Sequence, residues 1–147
     1  MRRADRQNPS QKTPRAGGDR KTPAPEPSDT DYPEISRRMG ELGLMDNPKF
    51  RAEVLVVFLQ ELSKTIEDLH GAIQAGDAST CEFLAHRMRG ASLNLGAVRL
   101  GGIALDLEHL GQDGDLSGAD SLAAASRQEF ENLRAFFARL PGMAKAA

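Results

Sequence analysis

The residues best suited to chemistry stand together in the run Ala85-His86-Arg87-Met88-Arg89-Gly90-Ala91-Ser92. A histidine there is followed one helical turn later by an arginine and then by a glycine. A free imidazole titrates near about 6.5, so at neutral pH one ring nitrogen keeps a lone pair able to take a phosphoryl group from an acyl phosphate. Arg89, with Arg87 beside it, can hold phosphoryl oxygens through charge-assisted hydrogen bonds. Gly90, lacking a side chain, leaves clearance next to the ring. Phosphoryl transfer depends mainly on positioning and charge neutralisation, so a rigid helix presenting His86 is a sufficient half-site.

Helical periodicity decides where His86 points. At about 100° per residue, Leu84, Met88, Ala91 and Leu95 fall on one side of a helix over 78–95, and His86 falls on the other, facing solvent. Leu93 lies within about 20° of His86 and Phe83 within about 60°, so two apolar side chains border the exposed ring instead of joining the core. With Gly90 and Glu82, they form the expected docking rim.

The elements that must hold this helix are readable on either side of it. Pro33 begins a short helix that closes near Gly40 or Gly43 and lids the bundle. Asp46-Asn47-Pro48 provides a cap and a first-turn proline for a long helix reaching about Ala75. Its stripe is Leu55, Phe58, Leu59, Leu62, Ile66, Leu69 and Ile73. Gly76 ends that helix and Asp77 caps the next. After the Gly96-Ala97 corner comes a helix with Leu100, Ile103, Ala104, Leu107 and Leu110 inward, in which Gly101-Gly102 permits close helix contact. A polar loop is expected from Gly111 to Gly118. A last helix over 119–140 buries Leu122, Leu133, Phe136 or Phe137, and Leu140, and Pro141-Gly142 stops it.

The expected fold is all-α, an antiparallel four-helix bundle running up-down-up-down, with a short leading helix and a disordered N-terminal tail. Its divisions are 1–32 (basic, Pro-rich tail), 33–142 (bundle) and 143–147 (C-terminal tail). The N-terminal assignment rests on composition: residues 1–24 carry seven Lys or Arg against two Asp, and six of the eight prolines fall by Pro33. Such a segment buries too little apolar area to offset the entropy of ordering it.

Composition excludes other classes. Only 5% of residues are aromatic and none is Trp, which fits a helical core of Leu, Ala, Ile and Val and disfavours an all-β domain. Cys81 is the only cysteine, so no intrachain disulfide can form, and a buried thiol in a reducing cytoplasm is the expected setting. No apolar run is long enough to span a bilayer. His70, His86 and His109 include no i, i+4 pair, so no metal site is expected and His70 and His109 are read as structural. Neither a Gly-x-x-x-x-Gly-Lys-Ser/Thr nor a Gly-x-Gly-x-x-Gly loop occurs, so no nucleotide site or autokinase activity is expected.

The run from His86 to Ser92, followed by Leu95-Gly96-Ala97, Leu100 and Leu107-Glu108, resembles the histidine-containing phosphotransfer (HPt) domains. Their usual pattern is Ala-His-x-Leu-Lys-Gly-Ser/Ala, then Leu-Gly-Ala and a later Leu-Glu. Met88 stands here for the usual Leu and Arg89 for the usual Lys. The resemblance spans about residues 34 to 140 and implies that His86 is the phosphorylated residue of a two-component phosphorelay. It also implies partners, the receiver domains of a hybrid histidine kinase and of response regulators, and a phosphate carrier rather than an enzyme. No cofactor is expected in this chain, the magnesium belonging to the receiver. A cytoplasmic monomer is expected, with neither a membrane nor nucleic acid as partner. One rival is a bundle that binds a receiver or kinase as adaptor or inhibitor without carrying phosphate. Another is the dimerisation helix pair of a sensor kinase, which usually has an acidic residue directly after its histidine and a proline within the next turn, unlike Arg87 and the unbroken run to Gly96.

Overall fold

The computed structural model describes residues 32–143; residues 1–31 of the expected N-terminal tail lie outside them, and Tyr32, expected as the last residue of that tail, is instead buried in the bundle. Five helices occur in the order α1 (Pro33–Glu41), α2 (Pro48–Gln74), α3 (Ala78–Leu95), α4 (Val98–Asp113) and α5 (Ala119–Ala138). Among the described residues there is no strand, and no helix is long and apolar enough to cross a membrane.

Local chemistry sets the helix starts. The Asn47 side chain accepts the Phe50 N–H at 3.0 Å and Asp77 accepts that of Thr80 at 3.0 Å, so each satisfies a first-turn donor left open by the helix geometry. Three residues link α2 to α3 and two link α3 to α4, so successive helices fold back on each other. Round the bundle, α2 packs on α3, α3 on α4, α4 on α5 and α5 on α2, while α1 lies against α3. The α3/α4 contact is the most extensive.

Large apolar side chains close the core. Leu55, Leu62, Ile66, Leu69 and Ile73 of α2 are buried, with Phe58 and Leu59 half-buried beside them. Leu84, Met88 and Leu95 come from α3, Leu100, Ala104 and Leu107 from α4, and Leu133 with both Phe136 and Phe137 from α5. Burying each large side chain contributes about 1.5–3 kcal/mol. Three further expectations need correction. Ala91 is exposed and Ser92 is buried in its place, because the close contact with α4 buries the small residues Cys81, Ala85 and Ser92 and rotates the inward arc of α3 toward α4. Gly111 is not in a loop: α4 runs to Asp113, and Gly111 is buried against α3. Met143, assigned to a tail by its position after Pro141-Gly142, is packed in the core.

The short leading helix seats on the α3–α4 corner. Gly96 has φ +84°, and a Cβ there would come 2.5 Å from the Glu34 carbonyl oxygen, so only glycine lets α1 approach. The Arg38 Nε donates to the Asn94 carbonyl at 2.9 Å. Tyr32, which is buried, packs its ring at a 45° tilt against Phe136 with centroids 4.9 Å apart and donates its hydroxyl to Glu129 at 3.0 Å.

Two glycines in α4 face α3, with different consequences. A Cβ at Gly111 would stand 2.7 Å from the Glu82 backbone nitrogen and 2.8 Å from the Ala78 carbonyl, whereas at Gly101 it would meet the flexible tip of Leu93 at 2.8 Å. A side-chain tip can turn aside and a helix backbone cannot. Gly111→Ala is therefore expected to destabilise the protein by about 1–3 kcal/mol. Gly101→Ala should stay within about 1 kcal/mol of the parent, since the gain in helix propensity offsets the displaced Leu93. Thermal unfolding of the two variants checks this; equal losses would show that the approach of the two backbones is not limiting.

Candidate functional site

His86 lies in mid-α3, with the buried Ala85 just before it and the buried Met88 two residues after it setting the helix rotation. Its side chain is 66% exposed, as the helix geometry predicts. Across the α3/α4 seam, Glu108 places Oε1 3.0 Å from His86 Nδ1. Glu108 keeps only 8% of its side-chain exposure, so it reaches the ring from beneath. Arg89, one turn along α3, sets Nε 2.8 Å from Glu108 Oε2, an off-axis charge contact, and Nη2 3.5 Å from both Glu108 Oε1 and His86 Nδ1. One carboxylate thus bridges the imidazole and the guanidinium.

The electrostatics of this trio determine the tautomer. The hydrogen bond with His86 holds the Glu108 carboxyl below its ordinary value, and the Arg89 charge adds to the effect against the opposing cost of burial. An ionised carboxylate can only accept, so Nδ1 is the donor in the 3.0 Å contact with Glu108, and Arg89 Nη2, itself only a donor, stands too far off at 3.5 Å to compete for that nitrogen. Nε2 is left with its lone pair on the exposed edge of the ring. That nitrogen is able to attack an electrophilic phosphorus presented from solvent.

The remaining expected site residues are distributed less evenly. Gly90 is exposed, and a Cβ there would meet nothing within 4 Å, so the space beside the ring is open. Phe83 is 60% exposed and Leu93 50% exposed, both on the outer side of α3. Leu93 has a second role, since its tip covers Gly101 of α4. Arg87 does not join Arg89: its guanidinium lies over the Phe83 ring, 5.9 Å from the centroid. Glu82 is half-buried and borders, with Ser79, Phe83, His86 and Glu108, a shallow hollow of about 440 Å³. Cys81 is buried, its thiol 3.9 Å from the Leu107 carbonyl, and burial pushes its pKa up, as for an inert packing residue. Among the described residues no group of three His, Cys, Asp or Glu is arranged to hold a metal ion.

One contributor lies on α4, where periodicity of α3 says nothing. Glu108 was visible only as part of the Leu107-Glu108 pair, with no indication that it reaches His86 across 22 residues of sequence.

A protein with this bundle and an exposed histidine held by a buried carboxylate falls in the class of phosphotransfer bundles, and comparison with known proteins agrees. The family model of the Hpt domain matches residues 53–136. The chain belongs to the histidine-containing phosphotransfer domain family. Among solved structures it is similar to histidine-containing phosphotransfer protein B (HptB) from Pseudomonas aeruginosa PAO1. The two share 31% identity over 78% of this chain and 92% of that one, with a TM-score of 0.64. A comparison with curated proteins returned no match.

The bridge has a pH signature. Because the carboxyl of Glu108 is held below 4.5, its ordinary value, its stabilising contribution is complete above that value and is lost as the pH falls through the depressed folded value. Glu108→Gln should therefore lower unfolding stability by about 1–2 kcal/mol near neutral pH, with the gap to the parent closing below about pH 4. Denaturant melts from neutral to acid pH check this; a gap that persists at acid pH would mean that the charge of Glu108 does not stabilise the fold.

Proposed function

We propose that His86 is the phosphoacceptor of this family member, and that the chain carries a phosphoryl group between receiver-domain aspartates. The observation that carries this reading is the Nδ1 contact with Glu108, which leaves Nε2 as the exposed nucleophile. In transfer, the Nε2 lone pair forms the N–P bond while the bond from phosphorus to the aspartyl oxygen breaks, and the electron pair leaves with the carboxylate. The ring becomes cationic with its proton still on Nδ1, and the buried carboxylate of Glu108 stabilises that charge. Arg89, held beside the ring by the same carboxylate and one-third exposed, offers its remaining N–H groups to the phosphoryl oxygens. Return of the group to a second aspartate reverses these steps.

The partner, in this reading, is the receiver domain of a hybrid kinase or of a response regulator. It covers Phe83, Leu93 and Gly90 around the ring and supplies the remaining acidic groups and the divalent metal. The chain acts as a phosphoryl carrier and draws the group from the receiver rather than from a nucleotide.

Incubation with a phosphorylated receiver should transfer label to this protein as acid-labile, base-stable phosphate, and His86→Gln should acquire none. Labelling of that variant would remove His86 from the reaction. Arg89→Ala should slow transfer about tenfold or more while the fold persists. Gly90→Gln should obstruct docking with unchanged far-UV circular dichroism, and an unaltered transfer rate would show that clearance beside the ring is not required.

A further inference from the structure

The outward face of α2 carries a charge pattern that the phosphotransfer reading does not use. Lys49, Glu53, Val57, Gln60, Lys64 and Glu67 are all exposed. At about 100° per residue they fall within one stripe about 80° wide, centred opposite the buried Leu55–Ile73 face. Among the described residues, none of the four charged members makes an ion pair or a side-chain hydrogen bond. The stripe also exposes apolar surface, with Val57 57% exposed at its middle and Phe50 49% exposed at its edge.

The order of signs along the helix is plus, minus, neutral, neutral, plus, minus. Read backwards it is its own complement. If two copies of α2 lie antiparallel about a twofold axis between residues 58 and 59, Glu53 meets the other copy's Lys64, and Lys49 meets its Glu67. Each contact is repeated by symmetry, so the four charged residues of each copy form four opposite-charge pairs. The two Val57 side chains then stand next to each other at the axis, offset by about 4.5 Å along the helices at 1.5 Å rise per residue. A parallel arrangement in register would instead set every charge against its like. Self-complementarity of this kind is what an isologous contact requires.

From this charge complementarity we infer that the outward face of α2 is a self-association surface whose occupant is a second copy of this chain. The face points away from α4, which lies diagonally across the bundle, so both copies keep His86 open to solvent. Surface charge pairs and a modest apolar centre support a weak, salt-sensitive dimer, and the expected monomer is then the species at low concentration.

Sedimentation of the full chain should show reversible dimerisation in the range of about 10 μM to 1 mM, weakening as salt rises. Lys64→Glu places like charges opposite Glu53 twice and should weaken the dimer about tenfold. The double variant Glu53→Lys with Lys64→Glu exchanges both partners and should restore it, with circular dichroism confirming the fold of each. A chain that stays monomeric at about 1 mM overturns the inference. So does a dimer that Lys64→Glu leaves intact, or one that the double exchange fails to restore.

Discussion

The contact between His86 on α3 and Glu108 on α4 depends on how near two helix axes can come, and much of this structure is arranged around that distance. An imidazole and a carboxylate 3.0 Å apart on neighbouring helices require the seam to be tight. Gly111 removes the side chain that would hold α4 away from the backbone of Glu82 and Ala78, and Gly101 leaves room for Leu93. Small residues on α3, namely Cys81, Ala85 and Ser92, complete the close fit from the other side. The geometry at His86 is therefore a consequence of packing rather than of the histidine motif by itself.

The same seam explains why a buried carboxylate is tolerated here. An isolated buried charge is costly, but Glu108 meets one hydrogen-bond donor and one cation, both anchored one turn apart on a single helix. Its charge then does two things at once. It directs the imidazole proton to Nδ1, and it keeps Arg89 beside the ring. At the far end of α3, Gly96 and Arg38 dock the leading helix on the α3–α4 corner, which ties the ends of the two helices together. Tyr32 extends that clamp to α5 through Glu129 and Phe136.

Much of the fold was legible because its signals are local. Asn47 and Asp77 mark helix starts by capping, and Gly76 and Gly96 mark ends by their positive φ. The α2 stripe followed from periodicity alone, as did the outward direction of His86. Ala91 and Gly111 were misplaced for one shared reason. Periodicity weighs large apolar side chains, whereas a tight helix pair buries small ones, so a glycine that reads as a loop signal was in fact an interface residue.

What the sequence determined by itself was the set of helices, their inward faces and the exposed position of His86 with Arg89 and Gly90 around it, because each follows from spacing within one turn or two. It did not determine that Arg87 would lie over Phe83, or that Met143 would close the core. Nor did it reveal that Glu108 supplies the carboxylate beneath the ring. Those outcomes were decided by tertiary structure, since they depend on which helices become neighbours, how closely they approach and at what rotation. Only when α4 lies against α3 do residues 22 positions apart share a proton contact, and with it the choice of the nitrogen left free.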